Sequence, residues 1–192
     1  MNTNVETKQE LIYRDAYKKI EKKANSNAIF QGIGGIAGVF GKAVVDAAVL
    51  ITHYEPLIND IRKLYGRSSL SIKELSPVFG SLFKELLVDI AMDKLVGAAI
   101  PVAGVYVNFI SARILTWRIG LVALILSARG EDFSRINVVD VTKLVRLLTP
   151  QPNKLKFTKP DYGTIKKVVC SVSDNETDVF VDKIQAALKV FE

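Results

Sequence analysis

The sequence predicts an all-α fold: a helical bundle with two Gly/Ala-rich apolar hairpins and a small helical C-terminal appendage. Three observations predict it. Apolar residues recur at helical spacing in most segments between turns. Mean hydropathy is positive, +0.22, although 24% of the residues are charged, so the apolar residues are gathered into blocks. Two such blocks, Ala28–His53 and Leu95–Ala128, carry very few charges and are rich in Gly and Ala. With 192 residues, 49% of them hydrophobic, the chain is long enough for a real core, and wholesale disorder is set aside.

Leu11, Tyr13, Ala16, Tyr17 and Ile20, with Lys and Glu between them, predict an amphipathic helix from about Thr7 to Lys23. Its polar face is mixed in sign, which suits packing on a partner better than lying on a membrane. The block Ala28–His53 follows, with Lys42 and Asp46 as its charges. Gly32, Gly35, Gly38 and Gly41 fall every third residue, and Gly34 with Gly38 forms a GxxxG pair. Such density weakens an isolated helix in water but lets another helix, or lipid, approach the backbone closely. A well-formed helix resumes near Lys42. Pro56 marks either a break or the first turn of a next helix, whose periodicity (Leu57, Ile58, Ile61, Leu64) continues to Gly66.

Residues 68–77 read as polar turn with a short helix around Ile72–Leu75. Leu82, Phe83, Leu86, Leu87, Ile90 and Ala91 give an amphipathic helix. The uncharged run 95–112 contains Pro101 and Gly104; a turn near 97–101 and then a long helix from about Val102 to Ser127 are expected. Gly130 and Asp132 close it. Val138, Val141, Leu144, Val145 and Leu148 predict one more helix. Residues 149–163, with three prolines and three lysines, read as a basic linker between a helical, membrane-associated domain (1–148) and the appendage (164–192). Ile165, Val168, Val169 and Val172 suit a helix or a short strand, with helix preferred, and Phe180, Ile184, Ala187, Leu188 and Phe191 form a helical stripe. No internal repeat is found.

Chemistry is scarce. The single Cys170 rules out an intrachain disulfide and a cysteine-type zinc site, and the single His53 rules out a two-histidine metal site. His53 reads as a surface or capping residue. Gly32-x-Gly34-x-x-Ala37 imitates a dinucleotide fingerprint, but a charged helix precedes it where that motif needs a strand. Gly41-Lys42 imitates a phosphate loop, yet Ala43 stands where Ser or Thr would hold magnesium. Glu85, Asp89 and Asp93 share a helix face, and a solvated face explains them better than a cation site. No catalytic residue, metal or cofactor is therefore assigned, and the chain is expected not to be an enzyme.

Charges inside apolar blocks need partners. Lys42 and Asp46 stand i, i+4, and Arg113 and Arg118 interrupt the second block. The expectation is a buried polar pairing in which Asp46 answers Lys42 or one of the arginines across a helix interface. The formal charge of +6 (26 basic, 20 acidic residues) does not point to nucleic acid, because the basic residues are spread and the aromatics fall on helix core stripes. The lysines of 154–167 better suit anionic headgroups or an acidic partner. Residues 1–27 are polar and charged, without the apolar run of a secretory signal, so the expected address is the cytoplasmic side of a membrane, with soluble cytoplasm as the alternative.

The stretches Gly41–Leu50, Ile61–Gly66, Ala98–Gly104 and Thr116–Gly120 resemble the YcjF-like family, a helical family of unknown function that accompanies GTPases. The first stretch is also similar to the glycine-rich helical region flanking the GTPase core of immunity-related GTPases. The resemblance covers about half the chain, from Gly32 to Arg129. It departs where Phe40 and Gly41 stand in place of the proline usual before the Asp46 helix. It implies an all-α module that associates with membrane lipids and works with, or regulates, a separate GTPase, and it implies no catalytic residue. Three functions follow as expectations: a non-enzymatic membrane-associated protein that binds or regulates a partner, a pore-forming effector that inserts the same hairpins, or a soluble helical homo-oligomer that acts as a binding module.

Overall fold

A computed structural model describes residues 7–33, 47–79, 82, 86, 101–150 and 156–172, and of 29–33, 47–49, 101–108 and 170–172 the backbone alone. These residues form helices and connecting turns with no strand among them, so the all-α bundle is borne out. In chain order the helices are α1 (Lys8–Ile33), α2 (Ala47–Leu64), α3 (starting at 72, described at 72–79, 82 and 86), α4 (Pro101–Arg129), α5 (Arg135–Leu148) and α6 (Tyr162–Val172).

Local sequence fixes most of the ends. Thr7 and Glu10 form a reciprocal capping box: the Glu10 amide donates to Thr7 Oγ1 (3.2 Å) and the Thr7 amide to Glu10 Oε2 (3.0 Å). Ser71 and Glu74 repeat the device at the start of α3. Ser134 Oγ accepts from the Asn137 amide at the start of α5, and Asp161 Oδ2 from the Thr164 amide at the start of α6. Two helices end on glycine in the left-handed region. Gly66 (φ 68°) donates to Lys63 O while Arg67 donates to Arg62 O, and Gly130 (φ 72°) donates to Ser127 O while Glu131 donates to Leu126 O. This is the Schellman pattern, in which a side chain at the glycine position would be strained.

α4 is the centre of the bundle and packs against α1, α2, α5 and α6. From Ile114 to Ser127 every residue is buried, so this stretch is apolar nearly all round because it is enclosed nearly all round. α1 lays Tyr13, Ala16, Tyr17, Ile20, Ala24 and Ala28 along it, and α2 adds Ile51, Tyr54, Ile58 and Ile61. α5 contributes Val138, Val141, Leu144 and Val145, and α6 contributes Ile165, Val168 and Val169 to the same core.

Two stretches, at the end of α1 and at Pro56, differ from the sequence reading, and the long helix α4 agrees with it. α1 runs ten residues past Lys23, because Asn25-Ser26-Asn27, weak helix formers, sit in a helix whose inner face is held by burial. α2 runs through Pro56 without a break; the ring removes one i→i−4 hydrogen bond, and the buried residues on both sides keep the turn in place. The 101–128 part of the second apolar block is one continuous helix. Of the first block, 28–33 belongs to α1 and 47–53 to α2, and 34–46 lies outside the described residues.

Candidate functional site

Where α1, α2 and α4 meet, the core carries a polar seam. Thr116, fully buried on α4, donates its one hydroxyl proton to Ala112 O one turn back (2.7 Å). Its oxygen must therefore accept from its other two neighbours. These are Asn27 Nδ2 from α1 (3.0 Å) and the Tyr54 hydroxyl from α2 (3.3 Å). Asn27 is left with its carbonyl oxygen, which lies 2.9 Å from His53 Nε2. The chain of donors thus puts a proton on His53 Nε2 and makes His53 the outer end of the seam. The imidazole also stands edge-on to the Tyr54 ring, 5.0 Å between centroids. His53 is half-buried rather than a surface cap.

Burial dominates the electrostatics here. It pushes the Tyr54 phenol up to about 12, with the hydrogen bonds to Thr116 and Asn27 acting the other way. Burial also lowers His53 below its ordinary value, and the neighbouring Lys23 ammonium adds to the lowering. Lys23 is itself lowered by burial.

Arg113 and Arg118, singled out from the sequence, take different places on α4. Arg113 donates to Asn25 Oδ1 (2.5 Å) and lies over the rings of Phe109 (4.9 Å) and Phe157 (5.2 Å). Arg118 is buried; its Nε donates to Thr149 Oγ1 (3.1 Å) and its Nη1 to Leu86 O (2.7 Å), tying α3 and the end of α5 to α4. Asp46, the expected partner of Lys42 or of one of these arginines, lies outside the described residues, as do Lys42, Gly34, Gly35, Gly38 and Gly41. Glu85, Asp89 and Asp93 also lie outside them. Gly32 falls in the last turn of α1, and Pro101 and Gly104 in the first turns of α4, with the backbone alone described.

A second feature fastens residues 156–172 to α1. The Tyr13 hydroxyl donates to Tyr162 O (2.7 Å) and the Tyr17 hydroxyl to Pro160 O (2.8 Å). Tyr13, Tyr17, Tyr162 and Trp117 stack at tilted and edge-on angles with centroids 4.9–6.3 Å apart. Lys159 pairs with Glu21 (2.6 Å) and Lys166 with Glu10 (2.5 Å).

Neither feature presents an activated nucleophile: the hydroxyls of Thr116 and Tyr54 are committed inside the seam, and His53 Nε2 is committed to Asn27. Among the described residues no three His, Cys, Asp or Glu side chains gather to hold a metal. The arrangement joins helices. Asn27, Tyr54 and Thr116 were not singled out from the sequence, although Asn27 stands seven residues after Ile20 on the same helix face and Thr116 stands inside an apolar block. The chain matches no protein-family model, no curated protein and no solved structure.

Proposed function

We propose that the chain is a non-enzymatic helical protein that sits on the cytoplasmic side of a membrane and binds or regulates a protein partner, with a GTPase the partner that the sequence resemblance suggests. The observation that carries this reading is how charge is distributed along the chain. Ala28–His53 holds two charges in 26 residues; Ala28, Leu50 and Ile51 at its two ends are buried, and the core around α4 is supplied by α1, α2, α5 and α6. The Gly-rich block is then the segment whose composition suits lipid or a close helix partner.

The test is fractionation of the expressed protein with a carbonate wash followed by detergent extraction. Retention in washed membranes supports the reading, and a liposome leakage assay then separates a membrane-bound binder from a pore former. A soluble, monodisperse protein overturns it.

One observation favours a second reading, a soluble helical bundle that acts as a binding module. The stretch Phe109–Arg129 is long and apolar enough to cross a membrane, but 83% of its most apolar window is buried inside the bundle. A core helix has the same composition as a spanning helix, and here the other helices take the place of lipid.

A further inference from the structure

We propose that the Asn27–Thr116–Tyr54–His53 seam is an acid-sensitive latch: a second proton on the His53 ring puts a cation beside Lys23 at the joint of α1, α2 and α4 and loosens their contact. Asn27 Oδ1 can only accept, so at neutral pH the ring serves as a neutral Nε2–H donor to Asn27 and its Nδ1 holds the remaining lone pair. A proton taken up at Nδ1 adds charge to a half-buried ring.

The charged neighbour on α1 is itself a cation. That group is Lys23, one helical turn before the Asn27 that meets the ring. On α4, Arg113 stands one turn before Thr116; it is also cationic and donates to Asn25. On α2 itself, the adjacent Glu55 accepts from Asn59. Burial and Lys23 both disfavour the imidazolium in the folded chain. The unfolded chain binds this proton more readily, so acid shifts the balance toward the open joint.

The latch holds together the end of α1 and the start of α2, which flank the Gly-rich block, but it is argued from the fold and does not depend on the membrane reading.

The chain supplies its own reporters, because His53 is its one histidine and Trp117, next to Thr116, its one tryptophan. The test is a pH titration of the full chain from 8 to 5. The imidazole proton resonances are followed by NMR, and Trp117 emission is recorded in the same samples. The expected result is a His53 transition below 6.5 with a red shift of Trp117 emission over the same range. The unfolding equilibrium constant in denaturant should rise by up to about tenfold per pH unit across that range. His53→Gln, which keeps a side-chain N–H for Asn27, should remove this component. A His53 transition at or above 6.5 overturns the proposal, as does unchanged Trp117 emission through the transition or the same pH dependence in H53Q. If H53Q does not fold, the two wild-type signals decide alone.

Discussion

Ile20 closes on the backbone of Gly120: a Cβ placed on that glycine would stand 2.6 Å from Ile20 Cγ1, 2.9 Å from Cγ2 and 3.0 Å from Cδ1. The missing side chain is what lets α1 lie this close to α4. Ile20 is fully buried and cannot swing into solvent, so a larger residue at 120 must push the helices apart. Overpacking of this kind costs about 1–3 kcal/mol, against about 1 kcal/mol gained by replacing a helical glycine with alanine. Gly120→Ala is therefore expected to lower stability by up to about 2 kcal/mol, and Gly120→Leu by more. In an Ile20→Ala background, Gly120→Ala should instead stabilise. Urea melts of the four proteins check this, and strictly additive losses would show that Ile20 and Gly120 do not press on each other.

Thr116→Val should be among the costly single changes in the core. The isosteric methyl removes the acceptor of both Asn27 and Tyr54 and leaves two buried donors without it. Each such loss costs about 1–3 kcal/mol. Thr116→Ser keeps the oxygen and removes a methyl, and should cost about 1 kcal/mol. Equal denaturation midpoints for the two variants would mean that the hydroxyl does not organise the seam.

The helix ends and the long helix were the most legible parts of the sequence. Helical spacing with Gly130 just beyond placed α4 within two residues of its observed ends, because chain-local rules decide such boundaries. Asn25–Asn27 and Pro56 misled for the opposite reason. Their local preference is against helix, and burial of Ala24, Ala28, Leu57 and Ile58 outweighs it. Arg113 and Arg118 were legible as residues that need partners. Their partners among the described residues, Asn25, Thr149 and the Leu86 carbonyl, were not legible, since each comes from a different part of the chain. The same holds for the seam: no spacing in the sequence announces that Asn27, Tyr54 and Thr116 meet.

The Lys166–Glu10 pair joins α6 to the first turn of α1, and its contribution should depend on acid. The hydrogen bond from Lys166, followed by that with the Thr7 backbone, holds the Glu10 carboxyl below its ordinary 4.5. A lowered carboxylate contributes stability that is present above the unfolded value and is lost as pH falls through the folded one. Lys166→Ala should therefore lower the melting temperature slightly at pH 7, and the gap to wild type should narrow as pH falls below 4.5. Salt at 1 M should also narrow it, because both groups are partly exposed. A gap independent of both pH and salt would assign the effect to lost packing of the lysine stem.

Tyr54 sets the alkaline limit of the seam. Its phenol is pushed up to about 12 by complete burial, against an ordinary 10.0. The unfolded chain thus gives up this proton about two pH units before the folded chain does, so stability is lost as pH rises from 10 toward 12. The loss approaches roughly 3 kcal/mol at the upper end. Tyr54→Phe keeps the ring in the core and removes both the ionisation and the donor to Thr116. At pH 8 the variant should be less stable than wild type by about 1 kcal/mol, the net worth of an ordinary buried hydrogen bond. Above pH 10 wild type should fall faster, so that the two stability curves converge and then cross. In parallel, absorbance at 295 nm should show Tyr54 ionising together with unfolding. Parallel stability curves from pH 8 to 12 would show that Tyr54 ionises as easily in the fold as outside it, and that the seam is open to solvent.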